Sequence, residues 1–302
     1  MNLPMFSPTL ATYLRIGALM AALIPVVAGC TPAKTESALQ RVKREGKIRV
    51  GYANEAPYAY VDRTSGKLTG EAPEVLLAVM KAVGIYEVEG VLTEFGALIP
   101  GLRAGRFDVI AAGMYITPER CEQIAFSNPS YSIGEGFIVK QGNPKALHSY
   151  MDVLVNESAT LGVMAGAVER GYARDVGIPD ERVIVFPDGP SGLEAVRAGL
   201  VDAFAGTSLT VRDLLSKLND SAIELAEPFS DPEVNGRSVR GYGAFGFRKE
   251  DKDLLNSFNG GLAQFIGTKE HLELVKPFGF TVTELPGNVA AADLCVQQQT
   301  RP

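Results

Sequence analysis

The sequence predicts an α/β protein made of two lobes of similar build. Short apolar segments alternate with segments of helical periodicity from about residue 47 to residue 218, an order typical of largely parallel sheets. Residues 102–112 are also echoed by residues 196–206: in each stretch a helix stops at Ala-Gly and an Asp opens an apolar strand. Two similar lobes explain the echo, and chance similarity of helix–strand junctions is the alternative.

The chain is expected to cross between the lobes twice. The pattern restarts after residues 142–144, and a polar stretch from Phe229 precedes an apolar run at 240–247 that returns to the first lobe. We therefore expect residues 36–140 plus 236–302 to form lobe 1 and residues 144–232 to form lobe 2. Crossings near 140–144 and 231–240 make a hinge, and the cleft between the lobes is the natural ligand site.

Composition excludes several classes of function. The 302 residues are 46% hydrophobic and 21% charged, as in an ordinary folded protein. The net charge of −6 and the lack of a long basic run disfavour nucleic acid as a partner. The two histidines, His148 and His271, are far apart, which leaves little material for a His-based metal site or a Ser-His-Asp relay. We expect neither a metal nor a cofactor.

Residues 1–29 are predicted to be a targeting segment. The apolar stretch from Ile16 to Val27 is too short to span a bilayer comfortably. It runs through Ala28-Gly29 into Cys30, which resembles the lipobox of bacterial lipoproteins, with residues 30–35 as a linker. Lipidation of Cys30 would anchor the protein to a membrane surface outside the cytoplasm. The alternative is a plain signal peptide in which Cys30 is incidental.

Two cysteines remain, Cys121 and Cys295. Outside the cytoplasm two thiols are more often paired than free. We therefore expect a disulfide that ties the C-terminal region to the segment around Arg120.

The segment from Gly113 to Cys121 is a candidate anion site. An apolar strand, 107–112, runs into Gly113, and Thr117-Pro118 has the residues of a helix N-cap and first turn. Free backbone N–H groups, the helix dipole and the guanidinium of Arg120 would together suit a carboxylate. The alternative is a capped surface helix with a solvated arginine.

The order of elements resembles the solute-binding proteins of ABC importers, in particular the group that takes up polar amino acids. The motifs that carry the resemblance are Leu98-Ile99-Pro100-Gly101-Leu102, Thr117-Pro118-Glu119-Arg120 and Phe126-Ser127-Asn128-Pro129. It covers essentially everything after residue 36. It implies the two-lobed periplasmic-binding-protein fold (type II), a monomer, and delivery of a small ligand to the transmembrane subunits of a permease. It also places Tyr58, Phe95 and Arg120 in the cleft.

Two departures from the amino-acid binders point to a different ligand. Tyr115 stands where they usually have Ser or Thr, and Thr207 follows the second-lobe strand where they usually have an Asp for the α-ammonium. Aromatic faces with Glu55 nearby suit a delocalised cation. The loop 54–58 and the segment 116–123 resemble the ectoine- and hydroxyectoine-binding proteins. The expected ligand is such a zwitterion, and the candidate ligand-binding residues are Glu55, Tyr58, Phe95, Gly113, Tyr115, Arg120 and Thr207.

Two alternatives remain open. Glu55 could instead hold the ammonium of a polar amino acid. The resemblance also implies an enzymatic alternative, because similar proteins of this fold include cyclohexadienyl dehydratases and murein-cleaving transglycosylases. Such enzymes need a proton-handling carboxylate, which Glu55 could supply. The predicted lipid anchor and the absence of a second acid–base group from the proposed cage favour a receptor, so no enzymatic activity is expected.

Overall fold

The computed structural model of the protein describes residues 36–217, 221–234 and 237–296. The expected signal peptide (1–29), the linker (30–35) and Cys30 lie outside these residues.

Eleven α-helices lie in the described ranges. In chain order α1 to α11 they are Ala38–Glu45, Glu71–Lys81, Leu98–Arg103, Pro118–Cys121, Tyr150–Val155, Glu169–Val176, Gly189–Ala198, Ser208–Ser216, Lys252–Phe265, Lys269–Val275 and Ala291–Cys295. Short 3-10 turns occupy Phe95–Ala97, Asp180–Arg182, Lys276–Phe278 and Val282–Glu284.

The same ranges hold sixteen strands, most of them short. In chain order β1 to β16 they are Lys47–Tyr52, Tyr60–Val61, Leu68–Thr69, Glu87–Leu92, Val109–Ile110, Ala125–Phe126, Tyr131–Ile133, Glu135–Lys140, Leu161–Met164, Val183–Phe186, Ala203–Thr207, Ile223–Leu225, Glu233–Val234, Arg237–Ser238, Gly241–Gly243 and Gly246–Phe247.

Two five-stranded sheets organise the chain, as the α/β prediction requires. The first has the order β4-β1-β5-β16-β6 and the second the order β10-β9-β11-β8-β12. In each sheet the first three strands are parallel and the returning strand is antiparallel. The echoed stretches lead into β5 and β11, which both hold the third place. The echo therefore corresponds to equivalent strands of two similarly built sheets, which define lobe 1 and lobe 2.

The first crossing comes earlier than the sequence indicates. The apolar run 136–140 was expected in lobe 1, but β8 pairs with β11 and β12 in the second sheet. The chain therefore leaves the first sheet before Glu135, because the backbone of β8 is paired only there. Strands β7 and β15 run antiparallel beside each other, with Ile133 opposite Gly241. The other bounds expected for the lobes stay a prediction.

Each sheet is covered by helices and has its own apolar core. In lobe 1, Val50, Leu76 and Phe258 are completely buried, and in lobe 2 Phe137 and Leu161 are. Burial of such side chains is the main favourable term in folding. Two separate cores leave the space between them for a cleft.

Asp108 opens the strand β5 and has a structural role. Its side chain is fully buried and accepts hydrogen bonds from Arg41 Nη2 at 2.5 Å and from Arg49 Nη2 at 2.8 Å. In the second sheet, Asp202 accepts from the backbone N–H and the hydroxyl of Thr160. Both aspartates are bound at the start of a strand and away from the cleft.

None of the helices in the described ranges combines the length and the apolar character that a membrane span needs. Within the same ranges, no three His, Cys, Asp or Glu side chains come together in a way that could hold a metal ion.

Candidate functional site

A small cavity lies between the lobes, at the ends of the central strands. It encloses about 290 Å³ of empty space, a volume that includes space open to solvent. The described residues that line it are Glu55, Tyr58, Phe95, Gly113, Tyr115, Arg120, Met164, Ala167, Val168, Glu169 and Thr207. All seven candidate ligand-binding residues are thus brought together, and four further residues from lobe 2 join them.

Arg120 is the cation of the cavity. The hydroxyl of Thr117 caps the short helix α4 by accepting from the Arg120 backbone N–H at 3.3 Å. The guanidinium donates from Nη1 to the Tyr115 carbonyl at 2.7 Å and from Nη2 to the Gly166 carbonyl in lobe 2 at 2.9 Å. Two of its five N–H donors are therefore fixed. Burial lowers the pKa of Arg120 from its ordinary value, but a guanidinium stays protonated.

The expected contribution of a helix dipole is corrected by the structure. Helix α4 spans only Pro118–Cys121, and a single turn lacks the aligned peptide units that build a macrodipole. The capacity for anions therefore depends on the guanidinium. Cys121, at the end of α4, is bonded to Cys295 in α11, with a Cα–Cα distance of 5.6 Å. This bond fixes the helix that carries Arg120 to the C-terminal helix.

The ring of Tyr58 forms the floor of the cavity. It stacks on Tyr131 with ring centroids 5.4 Å apart and meets Phe280 edge-on at 5.9 Å. Gly113 lies directly against it: a Cβ at this position would be 2.5 Å from Tyr58 Cγ, and its φ of +68° favours glycine. Gly113 is therefore required for the close approach of the ring.

The two other aromatic residues differ in what they offer. Phe95 carries the Arg120 guanidinium over its ring, with Cζ 5.7 Å from the centroid, so one interaction of that ring is with the protein's own cation. The hydroxyl of Tyr115 is buried and has no hydrogen-bond partner among the described residues. Tyr115 therefore lines the cavity with a hydroxyl that no other described residue engages.

A chain of hydrogen bonds passes from lobe 1 to lobe 2 and back. Tyr58 Oη lies 2.7 Å from Thr207 Oγ1, which donates to Thr210 Oγ1 at 3.0 Å. Thr210 Oγ1 in turn donates to Glu55 Oε1 at 2.8 Å. Because the Thr207 hydroxyl donates its only proton to Thr210, the Tyr58 hydroxyl is the donor in the bond between Tyr58 and Thr207. The chain ends on a carboxylate, which strengthens each bond in it.

Glu55 is the acid of this chain. Burial raises the pKa of Glu55 to about 7, against the lowering effect of the bond from Thr210. The Glu55 side chain borders both the cavity and a wider outer groove, which also includes Phe95 and Met164. It can therefore meet a ligand that arrives from solvent.

Glu169, the first residue of α6, is the acid that sequence reasoning missed. It is 4% exposed and lines the cavity, and its Oε2 has no partner among the described residues. Burial raises the pKa of Glu169 to about 7. Its position in the sequence could have identified it as a candidate binding residue, because it lies shortly after the end of strand β9, and parallel strands present binding residues at that end.

Known proteins resemble the chain over most of its length. The family described as bacterial extracellular solute-binding proteins, family 3, matches residues 48–280. A probable amino-acid ABC transporter periplasmic-binding protein of Sinorhizobium fredii is 40% identical over 255 residues, 84% of this chain and 82% of that protein.

Solved structures extend this likeness to the fold. EhuB in complex with hydroxyectoine is 36% identical, with a TM-score of 0.77 over 87% of this chain and 99% of EhuB. The ancestral amino acid-binding protein AncCDT-1, a precursor of cyclohexadienyl dehydratase, is 25% identical with a TM-score of 0.67, over 80% of this chain and 99% of that one. With the family match over more than half of its residues, the chain belongs to the bacterial extracellular solute-binding proteins of family 3.

Proposed function

We propose that this solute-binding protein captures ectoine or hydroxyectoine between its lobes and delivers it to the transmembrane subunits of an ABC importer. The observation that carries the proposal is that a guanidinium, carboxyl groups and aromatic rings of described residues line one cavity together. Such a site suits a compact zwitterion with a carboxylate and a delocalised cation.

Each end of the zwitterion has a partner of opposite charge. The free donors of Arg120 suit the carboxylate, which a guanidinium binds in two-pronged fashion. Glu55 suits the cationic ring nitrogens, and the ring faces of Tyr58 and Tyr115 add attraction of about 0.5–2 kcal/mol each when desolvated.

The likeness to EhuB supports the same assignment. EhuB was solved with hydroxyectoine, and it is 36% identical to this chain. The relative from Sinorhizobium fredii carries the broader description of an amino-acid transporter component, which is the basis of the rival proposal.

A polar amino acid is the second candidate ligand. Glu55 and Glu169 both line the cavity, and either could hold an α-ammonium. Amino-acid binders usually use an aspartate for this purpose, at the position that Thr207 occupies here. Thr207, which stands there, has its hydroxyl engaged with Tyr58 and Thr210.

Isothermal titration calorimetry separates the two candidates. We expect ectoine and hydroxyectoine to bind the purified protein at least 100-fold more tightly than any of the twenty amino acids or cystine. Tight binding of an amino acid, with no heat from ectoine, would reject the ectoine assignment and leave the receptor function in place.

The dehydratase alternative has its own measurement. A carboxyl with a pKa near 7 in a cleft could serve as a general acid. Glu55 and Glu169 are both such groups and both line the cavity, so the expectation that the cage lacks a second acid–base group is wrong. We expect incubation with prephenate or arogenate to give no product, and turnover that Glu55→Gln abolishes would establish an enzyme.

We also propose that the protein is held at a membrane surface by lipid on Cys30. The support is the run Val27-Ala28-Gly29-Cys30 in the sequence. Expressed in a bacterium fed labelled palmitate, the wild-type protein should take up label and partition into detergent, and Cys30→Ser should do neither. Equal behaviour of the two would reject lipidation at this residue.

A further inference from the structure

A ligand that closes a two-lobed receptor must bind both lobes, since it favours the closed state only through contacts made there. Lobe 1 offers Arg120, Glu55 and the aromatic rings. The described part of the lobe 2 wall offers Met164, Ala167, Val168, Glu169 and Thr207. Of these five, only Glu169 and Thr207 have polar side chains.

The hydroxyl of Thr207 has no free hydrogen-bonding site left for a ligand. It donates to Thr210 Oγ1, and it accepts from Tyr58 Oη at 2.7 Å and from the Thr210 backbone N–H at 3.2 Å. A hydroxyl has one donor and two acceptor sites. Thr207 is therefore used in holding the lobes together.

Glu169, unlike Thr207, still has a free hydrogen-bond acceptor. Its Oε2 is buried without a partner among the described residues, although the residue is 96% buried and lines the cavity. A buried acceptor left unpaired costs free energy, which a donor in the cavity would recover.

A second buried acid, Glu135 of β8, is a neighbour of Glu169. It is 4% exposed, and neither of its oxygens has a hydrogen-bond partner among the described residues. Burial and the nearby Glu169 charge raise the pKa of Glu135 well above its ordinary value. Glu135 therefore favours its protonated form and adds little negative charge beside Glu169.

We propose that Glu169 is a ligand-binding residue of lobe 2, whose carboxylate accepts a hydrogen bond from an N–H of the bound zwitterion. The inference rests on the proposed function in taking the ligand to be a small zwitterion with N–H donors. It gives the ligand's cationic end one carboxylate from each lobe.

Several charges surround the pair and set its pH response. Burial opposes the ionised form of Glu169, whereas its own backbone N–H and the Arg120 guanidinium favour that form. Asp231 and Glu55 add negative charge around Glu135, and Tyr150 and Tyr172 stay neutral because burial raises their pKa values. With its pKa near 7, Glu169 binds a cationic N–H in its ionised form. Its contribution to affinity should therefore rise as the pH passes from 6 to 8.

Glu169→Gln is the first test, with Glu71→Gln as its matched control. Glu71 is also buried, and burial raises its pKa to about 8, but it does not line the cavity. Calorimetry with ectoine at pH 8 should show at least a tenfold weaker Kd for Glu169→Gln. Glu71→Gln should stay within twofold of wild type. Glu169→Asp, which keeps the charge but withdraws it by one methylene, should fall between.

The outcomes separate this inference from the proposed function. If wild type binds ectoine and Glu169→Gln binds it within twofold, the inference is wrong and the proposed function stands. If wild type binds an amino acid in place of ectoine, the proposed function is wrong, and the same variants are titrated with that amino acid to decide the role of Glu169. If none of the compounds binds wild type, both proposals are rejected.

Discussion

The two walls of the cavity are built from equivalent strands but carry different chemistry. In lobe 1 the segment after β5 brings Gly113, Tyr115 and Arg120 to the cavity, whereas in lobe 2 the end of β11 brings only Thr207. The lobe 1 wall has the guanidinium and the aromatic rings. The described lobe 2 wall is mostly apolar, with one engaged hydroxyl and one carboxyl that has an unpartnered oxygen.

The two lobes are therefore expected to contribute differently to ligand binding and to closure. Lobe 1 has the groups that can hold a zwitterion at both ends, so it should determine most of the affinity. Lobe 2 adds fewer contacts, and these matter for closure because they exist only when the lobes meet. The Tyr58–Thr207 and Arg120–Gly166 hydrogen bonds join the walls directly.

The largest expected effect tests the lobe 1 wall. Arg120→Ala should weaken ectoine binding by about 100-fold or more, because a carboxylate enclosed without its cation is strongly disfavoured. Arg120→Lys keeps the charge but loses the planar guanidinium, so its affinity for ectoine should lie between those of wild type and Arg120→Ala. Titration calorimetry measures Kd, and circular dichroism should show an unchanged fold. A loss of affinity below tenfold for Arg120→Ala would show that the lobe 1 wall does not determine most of the affinity.

A second prediction concerns the pH dependence of the lobe 1 acid. The pKa of Glu55 is about 7, so the wild-type carboxyl is mostly protonated at pH 5.5 and ionised at pH 8.5. Only the ionised form attracts a cation. The ratio of the Glu55→Gln and wild-type Kd values should therefore be close to one at pH 5.5 and about ten at pH 8.5. A ratio that does not change with pH would exclude Glu55 as the partner of the cation.

A smaller effect should follow at the ring beneath Arg120. Phe95→Leu removes the cation–π contact at 5.7 Å and should weaken binding about fivefold. Phe126→Leu is the control, because Phe126 is buried in lobe 1 but does not line the cavity. The control should lower the melting temperature and leave Kd unchanged. Equal Kd values for both variants would mean that Phe95 is only a core residue.

The smallest effect concerns the bond between the walls. Tyr58→Phe and Thr207→Val each interrupt the chain that ends on Glu55 and should each weaken binding about threefold to fivefold. The double variant should be no weaker than the worse single one, because both remove the same link. Additive losses would show that the two residues act on the ligand independently.

Much of the lobe 1 wall could be predicted because its signals are local. Thr117-Pro118 places a helix start, and the strand that ends before Gly113 places the loop that leads to it. Motif resemblance then adds Tyr58, Phe95 and Arg120 to one cleft. None of these inferences required knowledge of which residues pack across the molecule.

The lobe 2 wall was harder to predict because its properties arise from packing between distant elements. Strand β8 reads as an apolar run after lobe 1, and only its pairing with β11 assigns it to the second sheet. Glu135 and Glu169 are 34 residues apart in the printed sequence, where each is an ordinary acidic residue.

The sequence by itself determined the alternation of strands and helices, the echo of the two lobes and the residue types that can hold a zwitterion. These follow from local periodicity, turn chemistry and motif spacing. Only the tertiary structure decided which carboxyls are buried, which hydroxyl is already engaged and which oxygen is left free, because burial and hydrogen bonding depend on surfaces that meet after folding.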